Sequence, residues 1–287
     1  MAQRLLVLPG EIVKKSNALL RSRWSPASIW EPRLVALLAS KVRVDDQDFH
    51  VYEIHVSELL GGRYGGSDSK AVESAVDSAM SRVLTLRDEK GWTKYHVFSR
   101  CRYRASEGVL ELGFHPDLKS HYLGLQEKFG QYNLTEFMLL PSVYSQRIFE
   151  LLKSWTDKPE FTISLSDLFL TLDVPKTLQR YPDFRRKVLE RAHKDISTRT
   201  GLRFEWEAIK KGRSVSAIRF TFGALARKAT TSKKQASSPG NNHLVKKAVA
   251  CFQASGSSCT PKKTRQCEIC LHLVKPSPVQ SGNSGLT

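Results

Sequence analysis

Three consecutive cations, Arg185, Arg186 and Lys187, follow Pro182 in a segment with the apolar spacing of a helix. An arginine guanidinium can donate two hydrogen bonds to O6 and N7 of guanine, and an α-helix fits the major groove of B-DNA with its N-terminal part nearest the bases. The chemistry that these residues could perform is therefore the reading of base edges, with Arg186 as the best candidate. The alternative is a solvated, charged helix face stabilised by intrahelical pairs such as Arg186 with Glu190.

A basic hairpin is predicted directly behind this helix. Residues 202–209 and 215–222 alternate between apolar and polar types as strands do, and a turn of sequence KKGR joins them. Lysine acts as a strongly hydrated point charge, which suits phosphate oxygens but does not discriminate between bases. Cations ahead of the helix and on its outer face could contact the same phosphates. The predicted phosphate contacts are Lys176, Arg180, Lys194, Lys210, Lys211 and Arg213.

The elements that must position these residues occur twice along the chain, in the same order and at a spacing of roughly 110 residues. Each copy has a helix, a strand, a short helix, a long helix and a pair of alternating strands, which is the order of a winged helix. The first copy is assigned to 31–44, 49–56, 57–63, 67–84, 95–103 and 108–114, and the second to 141–155, 161–165, 166–170, 182–199, 202–209 and 215–222.

The first copy offers a weaker surface for nucleic acid. Its long helix begins with Ser69 and Lys70, which are the predicted contacts. Acids later in this helix, among them Glu73 and Asp77, make it a poor binder of phosphate. Residues 87–94 are predicted to form the glycine-containing turn between this helix and the strand pair. We expect fewer DNA contacts here than in the second copy.

The charge of the chain points to a polyanionic partner. The 45 Lys and Arg residues outnumber the 28 Asp and Glu residues, which gives a formal net charge of +17. A surplus of this size attracts polyanions, of which nucleic acid is the commonest. Residues 227–287 contain a single acid and are rich in Ser, Thr, Gly and Pro, so we expect a disordered basic tail there. The tail would add charge-driven affinity that weakens with salt.

Several other classes of protein are disfavoured. No run of about 18 apolar residues occurs, so no membrane span is predicted. The five cysteines are odd in number and unevenly placed, which favours a reducing cytoplasm over a secreted disulfide framework. The eight histidines include no pair one residue apart, as a metal-dependent nickase would use, and there is no GxxxxGK[ST] loop for ATP. We therefore predict neither an enzyme nor a cofactor.

Two candidate metal sites are weak. The acids at 45–48 lie between a predicted helix and a predicted strand, where a solvated turn is the simpler role. A zinc site in the tail has one CxxC pair but a spacing that matches no common zinc finger. Its ligands would be Cys259, Cys267, Cys270 and His272. We predict no metal at either place.

The segment 178–222, LQRYPDFRRKVLERAHKDISTRTGLRFEWEAIKKGRSVSAIRFTF, resembles the iteron-binding plasmid replication initiators, a family with two winged helices in one chain. The motifs YPDFRRK, TRTG and KKGR carry this resemblance together. Residues 123–155 look like that family's connection between its two domains, and SNALLRSRW at 16–24 is similar to its opening segment. The resemblance covers most of residues 12–222.

The resemblance implies that the second domain carries the main recognition helix, with Arg185, Arg186 and Lys187 as DNA contacts. It implies that the first domain adds a second DNA contact or a dimer interface. It also implies binding to direct repeats at a plasmid origin, melting of a neighbouring AT-rich segment, and recruitment of the host replication initiator and the replicative helicase. The alternative is a transcriptional repressor without initiator activity, which would bind one palindrome rather than a run of direct repeats.

The sequence thus predicts an α+β chain of two tandem winged-helix domains. The first is assigned to residues 1–130 and the second to 131–226, followed by the tail at 227–287. We expect the free protein to be a homodimer, paired through the strands at 95–103 and 108–114, because an exposed strand edge can pair with its own copy. On DNA we expect one protomer for each direct repeat.

Overall fold

The computed structural model describes residues 11–223, apart from Val44 and residues 61–67. The tail and its cysteines lie outside the described residues. The first copy is preceded by β1 (Ile12–Ser16) and α1 (Asn17–Leu20). It consists of α2 (Trp30–Lys41), β2 (Tyr52–His55), α3 (Val56–Leu60), α4 (Asp68–Ser81), β3 (Val83–Asp88), β4 (Gly91–His96), β5 (Phe98–Arg104) and β6 (Val109–Phe114). A 3-10 turn (Pro116–His121) and β7 (Phe129–Asn133) follow it.

The second copy follows a short helix, α5 (Leu134–Met138). It consists of α6 (Val143–Lys153), β8 (Glu160–Ser164), α7 (Leu165–Thr171), a 3-10 turn (Lys176–Leu178), α8 (Tyr181–Phe184), a π-helical turn (Arg185–Leu189), α9 (Glu190–Arg199), β9 (Phe204–Lys211) and β10 (Ser214–Phe222). None of the helices in the described part of the chain is long and apolar enough to cross a membrane.

Local sequence explains where these elements begin and end. The hydroxyl of Ser164 accepts a hydrogen bond from the amide of Asp167 at 3.0 Å and so caps the first turn of α7. Pro182 lies in the first turn of α8, where its missing amide costs no hydrogen bond. Gly212 has a φ of 64° in the turn between β9 and β10, a backbone conformation that only glycine adopts without strain.

The two copies share one sheet topology, which confirms the predicted duplication. The strand order is β2-β6-β5 in the first copy and β8-β10-β9 in the second, and all pairs are antiparallel. In each copy the first strand therefore pairs with the last, and the last two strands form the wing. Each sheet packs against helices around the core, whose largest fully buried side chains include Phe137, Phe149, Phe184 and Phe220.

The first copy contains a hairpin that the sequence analysis did not predict. Residues 87–94, expected to be a turn, belong to the β3–β4 hairpin, in which Arg87 pairs with Trp92 and Leu84 with Tyr95. The predicted strand at 95–103 is divided between β4 and β5, since pairing stops before Val97 and resumes at Phe98. The prediction was wrong because Gly91 and its polar neighbours resemble a single loop, whereas only the residues at the tip turn.

Helix α6 is shared by the two copies. Every residue from Ser145 to Lys153 is buried, because α6 packs on α1 and β7 on one side and on α9 on the other. The apolar spacing of the sequence gave this helix one buried face, but the two domains enclose it. The domain boundary between residues 130 and 131 stays a prediction.

Hydrogen bonds also fix α5 and α6 to α9 and the residues that follow it. A carboxylate oxygen of Glu136 in α5 accepts a hydrogen bond from the amide of Gly201 at 2.9 Å. The hydroxyl of Ser145 donates to Asp195 in α9 at 2.6 Å. A Cβ at Gly201 would lie 3.0 Å from the same Glu136 oxygen, so this position accepts glycine best. The TRTG motif at 198–201 therefore helps to hold the end of α9 against α5.

A buried charge cluster fixes β1 and β7 to α6. One carboxylate oxygen of Glu150 accepts hydrogen bonds from the ammonium of Lys15 at 2.7 Å and the hydroxyl of Tyr132 at 2.8 Å. The other accepts from Arg147 at 2.6 Å. Burial alone would raise the pKa of Glu150, but the charges of Lys15 and Arg147 outweigh it and lower the pKa. Glu150 therefore stays ionised and balances two buried cations.

Candidate nucleic-acid interface

The predicted recognition helix runs without interruption from α8 through the π-helical turn to the end of α9. Its inward face is the predicted apolar stripe, and each member is almost completely buried: Phe184, Val188, Leu189, Ala192 and Ile196. This stripe determines which residues of the helix face outward. The cations of the sequence FRRK are therefore presented on a helix whose other side is anchored in the core.

The π-helical turn changes the pairing of the charged residues. The amide of Glu190 donates to the carbonyl of Arg185, five residues earlier, so side chains five apart come into line. The guanidinium of Arg185 accordingly donates to Glu190 at 2.8 Å. The alternative pair of Arg186 with Glu190 does not form. Instead, Arg186 lies 3.5 Å from Asp183.

Arg186 is the most exposed of the helix arginines that form ion pairs. Its side chain is 72% exposed, against 55% for that of Arg185. Lys187 and Lys194 are also exposed, and within residues 11–223 neither has a carboxylate partner. Arg191, which the sequence analysis did not select, is exposed three residues before Lys194 and so shares its side of the helix. The sequence could have indicated Arg191 through its spacing of three residues from Lys194, which had been selected.

The wing places further cations at its tip. Lys210, Lys211 and Arg213 flank the turn at Gly212, and all three are exposed. Among the described residues none of them has a carboxylate partner. Closer to the base of the hairpin, Arg219 is paired with Glu207 at 2.7 Å. Free positive charge on the wing is thus concentrated where a hairpin can reach a phosphate.

Two more predicted contacts precede the helix. Lys176 begins the 3-10 turn, and Arg180 is the residue immediately before α8; both are exposed. The backbone amides of the first helical turn point in the same direction, and their partial positive charge also favours an anion. The structure therefore brings cations from this turn and the helix to one end of the second domain.

A groove between the helix and β9 is rich in carboxylates. It has a volume of about 420 Å³ and is lined by Glu190, Glu205 and Glu207 together with Arg185, which is paired with Glu190. Carboxylates repel phosphate, so the side of the helix that carries Arg186 is better suited to DNA than the groove. His193 stands in the same groove, where a ring nitrogen lies 3.1 Å from the carbonyl of Phe204.

The predicted contacts of the first copy lie on α4, separate from this surface. Lys70 is exposed near the start of α4. Ser69 lies in α4, but its side chain is outside the described part of the structure. Ser78, further along, faces inward and donates to the buried carboxylate of Glu31 at 2.9 Å. The first copy therefore offers one described cation from the predicted set.

The fold and this surface define a protein of two winged helices with a cationic face on the second. A protein-family model described as "Initiator Replication protein, WH1" matches residues 12–153, which include α6. A second family model, described as "Initiator Rep protein, WH2", matches residues 164–222. The chain therefore belongs to the family of initiator replication proteins with two winged helices, as its sequence motifs predicted.

Relatives agree with this assignment. The PI protein of Escherichia coli is 30% identical over 184 residues, which cover 56% of this chain and 60% of that protein. The chain thus spans less than two thirds of that relative. A crystal structure of Pi initiator protein in complex with iteron DNA matches with a TM-score of 0.59 and 18% sequence identity, over 74% of this chain and 97% of that one. At this identity the likeness is one of fold.

Proposed function

We propose that this chain initiates plasmid replication by binding repeated origin sequences, or iterons, as duplex DNA. The observation that carries the proposal is the exposed cationic surface of the second winged helix, where Lys187, Lys194 and the wing tip have no carboxylate partners among the described residues. The family assignment supports the role, and the related Pi initiator protein has been crystallised with iteron DNA.

Each part of this surface has a distinct role in the proposal. Arg186 donates two hydrogen bonds to a guanine in the major groove, with Arg185 and Lys187 beside it. The remaining cations bind phosphates and set the register of the protein on the duplex. Those positioning residues are Lys176, Arg180, Lys194, Lys210, Lys211 and Arg213, with Ser69 and Lys70 contributing a weaker contact from the first domain.

The later steps of initiation follow in the same proposal. Several protomers on adjacent repeats deform the origin and open a neighbouring AT-rich segment. The host replication initiator and the replicative helicase are then recruited, and binding at the chain's own promoter represses it. The chain acts in the cytoplasm by binding and assembly, without catalysis or a cofactor.

We also propose that the free protein dimerises through β5. In the described sheet β6 is central, so the predicted strand at 108–114 offers no edge, whereas β5 is bonded on one side only. The arginines along β5 would repel one another across a symmetric pair, but two of them have carboxylate partners. Arg100 lies 3.4 Å from Glu111 and Arg104 2.8 Å from Glu53. Light scattering of the free protein tests this.

The central test is selection of DNA by the purified protein. A pool of random duplexes about three helical turns long is enriched by repeated binding, and the recovered sites are placed in tandem or inverted in a test plasmid. Preferred binding to direct repeats supports an initiator, whereas preference for one palindrome supports a repressor. Incubation of the supercoiled plasmid with magnesium should give neither nicking nor primer synthesis; either product would contradict a non-enzymatic role.

Substituting alanine for Lys211 should weaken binding to selected and random duplexes about equally. An exposed lysine at a phosphate supplies charge without base discrimination, so the salt dependence should become shallower by about one unit. Fluorescence anisotropy at a series of salt concentrations measures both effects. A loss confined to the selected sequence would show instead that the wing reads bases.

A further inference from the structure

The β3–β4 hairpin has no counterpart in the second copy, where four residues connect α9 to β9. Its inward face is packed: Leu84 is buried, and Leu86 and Tyr95 contact the hydrophobic core. Its outward face has no such role, and the proposed function uses none of its residues.

The outward face combines an exposed aromatic ring with positive charge. Residues directly opposite each other in antiparallel strands share a face, so Arg87 lies beside Trp92 and Thr85 beside Lys94. The side chain of Trp92 is 59% exposed, and the ammonium of Lys94 lies 4.8 Å from its ring centroid. Strand alternation places no acid among the outward positions, 83, 85, 87, 92, 94 and 96.

The hairpin is held next to the turn that leads into the recognition helix. The backbone of Arg23 exchanges hydrogen bonds of 3.0 and 3.1 Å with Thr85 of β3. The guanidinium of Arg23 also lies 2.6 Å from the carboxylate of Asp173 in the second domain. Asp173 is three residues before Lys176, so their Cα atoms are within about 11 Å. Arg23 therefore links the hairpin to the segment that leads into the proposed phosphate-binding surface.

We propose that the outward face of the β3–β4 hairpin is a further contact with the duplex that the recognition helix reads. Arg87 and Lys94 bind phosphates, and the indole of Trp92 packs against the adjoining deoxyribose. This inference rests on the proposed function. An exposed tryptophan would also suit a protein partner, but the cations on both sides of the ring and the nearness of Lys176 favour a polyanion.

The test compares salt dependence and sequence preference in the full chain. The double variant Arg87→Ala, Lys94→Ala should bind the duplex selected by the wild-type protein with a salt slope about two units shallower, because each phosphate contact contributes about 0.9. Its preference for selected over random duplexes should be unchanged. Trp92→Ala should bind several-fold more weakly with the wild-type slope, since the indole carries no charge.

A matched control is present in the second domain. Lys158 lies 4.9 Å from the ring centroid of Trp155 in the same lysine-over-tryptophan arrangement, but next to β8 at the end of the sheet away from the wing tip. Lys158→Ala should therefore leave affinity and salt slope unchanged. All four substituted side chains are exposed, and equal thermal unfolding temperatures would show that the variants fold.

Shortening the selected duplex from either end shows which part of the DNA the β3–β4 hairpin contacts. The wild-type protein should lose affinity when one end is shortened, and the double variant should be insensitive to that trimming. A wild-type slope in the double variant would overturn the inference, as would unchanged DNA binding with an altered oligomeric state. If the wild-type protein selects no sequence at all, the proposed function fails and this inference falls with it.

Discussion

Replacing Glu150 with glutamine is expected to lower the free energy of unfolding by about 3–5 kcal/mol, because it leaves two buried cations without a counter-charge. Lys15 and Arg147 both bond to this carboxylate, and the side chains of all three are at most 4% exposed. Neither cation can reach water without opening the junction of β1 with α6. Urea denaturation followed by circular dichroism measures the change.

Glu107→Gln is the matched control. Glu107 pairs with Arg104 at 3.0 Å and at the same spacing of three residues, but its side chain is 56% exposed. Removing an exposed pair should change the free energy of unfolding by at most about 1 kcal/mol. Similar small losses for both variants would contradict a charge-balancing role for Glu150.

The pH dependence of stability provides a second measurement. The pKa of Glu150 is lowered in the folded protein. Its contribution to stability is therefore fully present above the ordinary glutamate pKa and is lost as the pH falls through the lowered value. The glutamine variant should lack this part of the acid-induced loss, so its stability should decline less steeply on acidification than that of the wild-type protein.

Arg186→Ala is expected to weaken binding to the selected duplex by about 1–3 kcal/mol and to relax the preference at one base pair, because a bidentate contact with guanine is lost. The structure supports this choice over Arg185, whose guanidinium is already engaged by Glu190. Binding to a panel of duplexes, each changed at one base pair, measures the preference.

Two further variants separate charge from base reading. Arg186→Lys keeps the charge but loses the planar fork, so it should lose base preference while it retains the salt slope. Arg199→Ala removes an exposed arginine at the far end of the same helix and should leave the preference intact. Equal losses on selected and random duplexes for Arg186→Ala would show that Arg186 binds a phosphate instead.

Periodicity was sufficient to predict the second winged helix. Apolar residues such as Phe184, Val188 and Ile196 recur at helical spacing, and alternation in 202–222 marks the wing, so the order of elements follows from local sequence. The cations of the candidate surface could be selected for the same reason. Once the buried stripe is known, the outward residues are known.

The features that were missed depend on distant parts of the chain or on backbone detail. Strand β1 pairs with β7 more than a hundred residues later, and no local pattern encodes this partner. Arg147 and Glu150 look like the polar side of an amphipathic helix, and they are buried only because both domains cover α6. The π-helical turn is compatible with the same apolar stripe as an α-helix, so the sequence left the pairing of Arg185 unresolved.

That turn has a consequence for how DNA specificity can diverge between related proteins. The π-helical turn brings residues five apart into line, whereas an α-helix aligns residues four apart, so deleting one residue from the turn would restore regular winding without rotating the helix on either side. The core packing of α8 and α9 would be kept, while a different set of side chains within the turn would face outward. Insertion or deletion of a single codon at Arg185–Leu189 is thus a route to a new recognition surface that no point substitution provides.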